Sequence, residues 1–174
     1  ATVANLVFYL KTLRRPPRRQ PNAPDVVAGE AVFATLGCAK CHRPTLRTGP
    51  SRIGPLNRVE FRPYTDLLLH DMGPELDDGY TEGRATTSEW RTAPLWGIGL
   101  AEGSQGGRAF YLHDGRVTTL AQAIELHGGE AAASRTAFRL LSAPTTAQLI
   151  AFLRSFSDGR APNFGEESPA GRLI

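Results

Sequence analysis

The stretch "GCAKCHRP", residues 37 to 44, sets Cys38, Cys41 and His42 in a C-x-x-C-H pattern, and the chain has no other cysteine. This pattern is the attachment signal for c-type haem. Each thiol can add across one vinyl group, and a helical turn beginning in the motif swings the adjacent histidine under the iron as its proximal nitrogen. Three other chemistries compete. A Cys38–Cys41 disulfide would close a tight, strained loop. A thioredoxin-like redox pair needs a preceding strand, whereas "AGEAVFATLG" reads as a helix. Zinc would need two further ligands from His70, His113 and His127, with no second C-x-x-C to help. The pattern favours haem.

The other face of the iron decides the chemistry: a bound side chain makes an electron-transfer site, and an open face admits a small molecule. The candidates are Met72, His70, His113 and His127. In "TTLAQAIELHGG", Thr119 and Gln122 form a capping box and Gly128–Gly129 a stop, which predicts a helix from Leu120 to His127. Leu120, Ala123, Ile124 and His127 follow i, i+3, i+4, i+7, so the imidazole shares the apolar face. Met72, the only methionine, precedes Gly73-Pro74 in what reads as a loop. As a non-ligand it would fill a gap at the haem edge. His113 sits beside an Asp114-Gly115 turn and reads as a structural residue, and His70 is undecided. Spacing alone leaves His127 and Met72 level. Arg91, with Arg84 and Arg108, is a candidate partner for the haem propionates, since guanidinium pairs well with carboxylates. Trp90 and Trp96 read as packing residues.

Two helices should position the motif. Val27, Ala31, Phe33 and Leu36 lie on an apolar segment that Gly37 can end. In "TTAQLIAFLRSF", Leu149, Phe152, Leu153 and Phe156 share one face, with Thr145 and Gln148 as a capping box. The 174 residues are 41% apolar, enough for one packed domain, and the 18 glycines and 13 prolines predict long loops. The net charge of +3 comes almost wholly from arginine, with Lys11 and Lys40 the only lysines. Without aromatic-basic interleaving it does not indicate nucleic acid. No stretch is apolar for long enough to span a membrane, and "ANLVFYL" makes a poor signal peptide because its charges follow it. The chain opens on Ala1 instead of a methionine, so a processed, trimmed or partial chain is expected.

The series "GCAKCHRP", "YTDLLLHDMGPELDDG", "EWRTAPLWGIG", "YLHDGRVTTLAQAIELHGGEA" and "LIAFLRSF" resembles the C-terminal haem domain of the bacterial di-haem cytochrome c peroxidase superfamily. It is most similar to the branch of di-haem oxidoreductases, over about residues 28 to 157. In that superfamily an N-terminal haem handles the oxidant and the C-terminal haem relays electrons to it. The resemblance implies that His127 is the distal ligand, because it aligns with the distal position a helix beyond "HDG". It gives Met72 no ligand role. Arg108-Ala109-Phe110 lacks the residues with which those peroxidases hold calcium, so no calcium is implied. This chain has only one C-x-x-C-H, and "ATVANLVFYLKTL" resembles the last helix of a preceding haem domain.

The expected organisation is therefore a terminal helix of another domain (1–13), a Pro/Arg-rich linker kept in solvent by its arginines (14–26), and a haem domain (27–174). The expected fold is mostly α, a cytochrome c-type helical domain with long loops around one covalently bound haem. The expected function is a c-type cytochrome with one haem c on Cys38 and Cys41, iron ligated by His42 and His127, serving one-electron transfer. The alternative is a catalytic di-haem peroxidase or oxidoreductase of which this is the C-terminal part. An accessory subunit whose haem mainly stabilises the fold is a third class. The implied partner is a redox protein or a second haem-bearing chain or domain, and haem c attachment implies a bacterial periplasm or other extracytoplasmic place.

Overall fold

A helix carrying Leu149, Phe152 and Leu153 on one face must bury them against a second apolar face. The computed structural model, which describes residues 2–13 and 17–157, supplies that partner from the helix before the cysteine motif. Among the described residues there are six α-helices: α1 (Thr2–Thr12), α2 (Pro24–Thr35), α3 (Ala101–Ser104), α4 (Leu120–Glu125), α5 (Ala132–Arg139) and α6 (Ala143–Arg154). Helices α2 and α6 make the main contact of the fold. Val26, Phe33 and Leu36 from one side meet Leu149, Phe152, Leu153 and Phe156 from the other, with Tyr64, Leu95, Leu120 and Phe138 closing the cluster.

The buried stripe of α2 is Val26, Gly29 and Phe33, while Val27 and Ala31 face solvent. The expected face is therefore corrected by one position: 26, 29, 30 and 33 follow the helical period and 27 does not. Gly29 is the point of closest approach. A Cβ there would collide with the Gln148 carbonyl oxygen and sit 2.8 Å from Phe152 Cβ. The start of α6 is corrected too. Ser142, not Thr145, is the N-cap, its hydroxyl accepting from the Thr145 N–H, and Pro144 occupies the first turn where its missing N–H is no loss.

The expectation of a mostly helical, cytochrome c-type domain is not met. Residues 44 to 100 contain two separate antiparallel ladders: β1 (Leu46–Arg47) with β2 (Glu60–Phe61), and β3 (Leu69–Asp71) with β4 (Glu89–Arg91). Helices and small sheets are mixed. Strands of two or three residues are too short to show a period-two pattern, so this region reads only as Gly/Pro-rich loop.

Helix α1 has no buried residue: Val3, Leu6, Val7, Phe8, Tyr9 and Leu10 are all exposed. The linker after it behaves unlike a solvated strip. Arg18 is largely covered and lies over the rings of Phe152 and Phe156, and the Arg19 N–H donates to the Ser155 carbonyl at 2.7 Å. Arg14 and Arg15 of the linker, and the tail 158–174 assigned above to the haem domain, lie outside the described residues.

Gly29→Ala should force α2 and α6 apart and lower stability by about 1–3 kcal/mol, the usual cost of overpacking a core. Denaturant unfolding of the two proteins measures it.

Candidate haem site

The motif begins where α2 stops. Gly37 takes a left-handed conformation (φ 83°) that a side chain would disfavour, and Cys38–Lys40 then form a 3-10 turn. The His42 N–H donates to the Cys38 carbonyl at 3.0 Å, which closes the motif on itself. His42 Nδ1 lies 3.0 Å from the Tyr64 carbonyl oxygen. A carbonyl can only accept, so Nδ1 carries the proton and Nε2 keeps its lone pair. Burial pushes the imidazole pKa down to about 4, so the ring is neutral at neutral pH.

Both cysteines are free and half-buried. Burial drives the Cys38 thiol up to about 11, and burial with the nearby Asp66 and Glu130 charges raises Cys41 as well. Thiols held protonated are poor nucleophiles, so this is not the microenvironment of a dithiol redox pair.

The opposite wall is α4 and the turn after it. The Thr119–Gln122 capping box forms as expected. The helix ends at Glu125, however, and His127 lies in the following turn, its N–H on the Ile124 carbonyl at 3.1 Å. His127 Nδ1 donates to the Ala123 carbonyl at 2.7 Å, so again Nε2 is the nitrogen left with a lone pair. Burial lowers its pKa too.

The two imidazoles lie close together, with ring centroids 6.5 Å apart and planes at 40°. An imidazole nitrogen binds a transition metal at about 2.0 Å and lies roughly 1 Å from its own ring centroid. Two rings on opposite sides of one metal therefore have centroids a little over about 6 Å apart. The pair fits an iron between them, and a C-x-x-C beside one of them fits a haem.

The turn bearing His127 is locked to the chain segment bearing Met72 by close backbone contact. A Cβ on Gly128 would lie 2.7 Å from the Met72 carbonyl oxygen, and one on Gly73 would lie 2.8 Å from the Gly129 nitrogen. Glu130 adds a clamp, accepting from the Asp71 N–H at 3.0 Å and bonding His70 Nδ1 at 2.9 Å. From α5, Arg135 pairs with Glu75, and Arg116 reaches the Glu75 carbonyl at 2.6 Å.

The other sequence candidates are placed differently. His70 has a carboxylate on each nitrogen, Asp66 on Nε2 and Glu130 on Nδ1, both at 2.9 Å. Carboxylates only accept, so His70 is an imidazolium with no lone pair to offer a metal. Ligand atoms of Cys41, Asp66 and His70 do lie within 4.8 Å of one another. That cluster would hold zinc only if His70 gave up a carboxylate. His113 stacks on Trp90, with centroids 3.2 Å apart, and Trp90 donates to the Leu76 carbonyl at 2.8 Å. Trp96 donates to the Arg62 carbonyl at 2.7 Å. Arg91 is exposed on β4 opposite Leu69, Arg84 is exposed, and Arg108 lies over the Phe110 ring. Sequence reasoning missed Tyr64, whose carbonyl orients His42. Its backbone role leaves no signal in residue type.

A family model described as "Di-haem oxidoreductase, putative peroxidase" matches residues 1–156, which takes in α1, the Pro/Arg-rich segment and the site alike. No curated protein and no solved structure matches the chain.

His70 yields a pH prediction. The hydrogen bond to Glu130, seconded by Asp66, raises its pKa above the usual histidine value. A raised folded-state pKa contributes stability that is fully present below about pH 6.5 and is lost as pH rises through the folded value. His70→Asn should therefore flatten the fall in melting temperature from about pH 6.5 upward, measured by thermal unfolding across that range.

Proposed function

This chain belongs to the family of di-haem oxidoreductases, and we propose that within it the chain holds one haem c and passes single electrons. Cys38 and Cys41 would carry the thioether links, and His42 and His127 would ligate the iron. The observation that carries this reading is the close imidazole pair, 6.5 Å between centroids, with each Nδ1 proton given to a backbone carbonyl. When bound, a haem held by both histidines would supply a one-electron couple. The chain's own residues prepare that state. Both imidazoles are kept neutral by burial, so neither must lose a proton before ligating. Their Nδ1–H bonds fix ring orientation and increase basicity at Nε2, which favours ferric iron and a low potential. The Gly128–Gly129 crossing and the Glu130 clamp hold the His127 turn, which limits its departure as a ligand. Arg91, exposed on β4 and without an ion pair among the described residues, is the candidate partner for a propionate.

A second reading, in which this chain is the C-terminal part of a catalytic di-haem peroxidase or oxidoreductase, draws support from two observations. The family description names two haems, whereas the chain has one C-x-x-C-H. Helix α1 also exposes apolar residues around its whole surface, which suits the last helix of a preceding domain that would cover them. In this arrangement residues 14–26 link two domains, and the partner is a second haem-bearing domain or chain. Haem c attachment on this reading implies a bacterial periplasm or another extracytoplasmic place. No helix among the described residues is long and apolar enough to cross a membrane.

Acid-acetone extraction should leave the colour on the protein. Free haem, or zinc in its place, would overturn the assignment. The chain by itself should turn over hydrogen peroxide poorly. His127→Ala should open one iron face and give carbon monoxide binding, while Met72→Leu should leave the ferric spectrum nearly unchanged, since it alters only packing. Loss of a sulfur-ligation near-infrared band in Met72→Leu would reverse that assignment.

A further inference from the structure

The carbonyl that orients His42 belongs to a residue in an unfavourable backbone conformation. Tyr64 has φ 54°, in the left-handed region where a bulky residue is strained. Such a conformer persists only when its surroundings over-determine it. Here the side chain is 1% exposed and meets the rings of Phe33, Phe152 and Phe156 edge-on. Its hydroxyl donates to Glu30 Oε1 at 2.7 Å.

Glu30 has a second partner. Its Oε2 accepts from Arg18 Nη1 at 2.9 Å, and Arg18 Nε donates to Ser155 Oγ at 3.2 Å. The guanidinium carbon sits 4.9 Å and 5.2 Å from the centroids of Phe152 and Phe156, two of the rings that touch Tyr64. Arg18 Nη2 is buried without an acceptor, and among the described residues Glu30 is the only anion holding this cation. Burial raises the Glu30 carboxyl, but the hydrogen bonds from Tyr64 and Arg18 outweigh it, and its pKa lies below the usual carboxylate value. Arg18 belongs to the segment between α1 and α2, so a continuous set of bonds runs from that segment to the histidine of the cysteine motif.

We infer that Arg18 is a positioning residue for His42: docking of Arg18 and Arg19, ahead of α2, is transmitted through Glu30 and Tyr64 to the hydrogen bond on His42 Nδ1. The inference rests on the proposed haem site. If the segment lifts, Glu30 is left a half-buried anion without its cation, and the Tyr64 hydroxyl loses a fixed acceptor. The Tyr64 carbonyl is then free to leave the strained geometry, and His42 becomes a weaker donor to ferric iron.

The test uses the haem-loaded chain and two readouts, the midpoint potential and solvent exchange of the His42 Nδ1 proton, followed by NMR in the reduced state. Arg18→Gln and Tyr64→Phe should each raise the potential and speed exchange about tenfold, the factor expected for one lost charge-assisted hydrogen bond. The double variant should go no further than either single one, and Arg18→Lys should recover part of the effect. Arg19→Gln should change neither readout, because only its backbone N–H reaches Ser155. Glu30→Gln keeps the shape without the charge and should shift both readouts the same way, which covers the case in which Arg18→Gln does not fold. Additive shifts in the double variant, or unchanged readouts in Glu30→Gln and Arg18→Gln, would overturn the inference. If the wild-type chain forms no low-spin haem, the haem assignment itself has failed; a low-spin wild type with unresponsive variants defeats only the coupling.

Discussion

Two backbone carbonyls, those of Tyr64 and Ala123, take the Nδ1 protons of His42 and His127. Everything the site can do depends on this. A neutral imidazole has one lone pair, and pinning the proton on Nδ1 fixes both where that lone pair sits and how the ring is turned. His70 provides the contrast within the same small region. Flanked by Asp66 and Glu130, it carries two protons and is a charge, not a ligand. Three histidines close in space thus take different roles because of the acceptors around them.

The frame around the site is built from close backbone approaches. Gly29 lets α2 settle on α6, and α2 leads straight into the cysteine motif. Gly73, Gly128 and Gly129 let the His127 turn press against the segment before it. Neither contact tolerates a side chain, so main-chain packing fixes how α2 meets α6 and how the His127 turn meets residues 71–73. Interiors packed to such density do not deform gradually.

Much of this was legible in the sequence. The C-x-x-C-H, the capping box at Thr119 and the apolar face of Leu149, Phe152, Leu153 and Phe156 are local patterns with a fixed period or a fixed residue type, whereas the helix expected to run to a glycine stop after His127 ends at Glu125. The parts that were not legible depend on tertiary contact. Strands of two or three residues carry no period, so the ladders around Leu69–Asp71 and Glu89–Arg91 read as loop and the fold was expected to be more helical than it is. Val27 in place of Val26 is a one-residue error in the phase of a helix whose neighbour was unknown. Arg18 looked like a solvated linker charge because cation–ring contact with Phe152 and Phe156, far along the chain, leaves no trace nearby. Tyr64 acts through its carbonyl, which every residue has.

The central claim is that His42 and His127 bracket the iron through their Nε2 atoms. X-ray absorption at the iron edge on the haem-loaded chain tests it most directly, because the first coordination shell distinguishes nitrogen from sulfur without any substitution. The account predicts six nitrogen scatterers at about 2.0 Å and none heavier. A sulfur scatterer in that shell, or a five-coordinate iron in the resting protein, would contradict it.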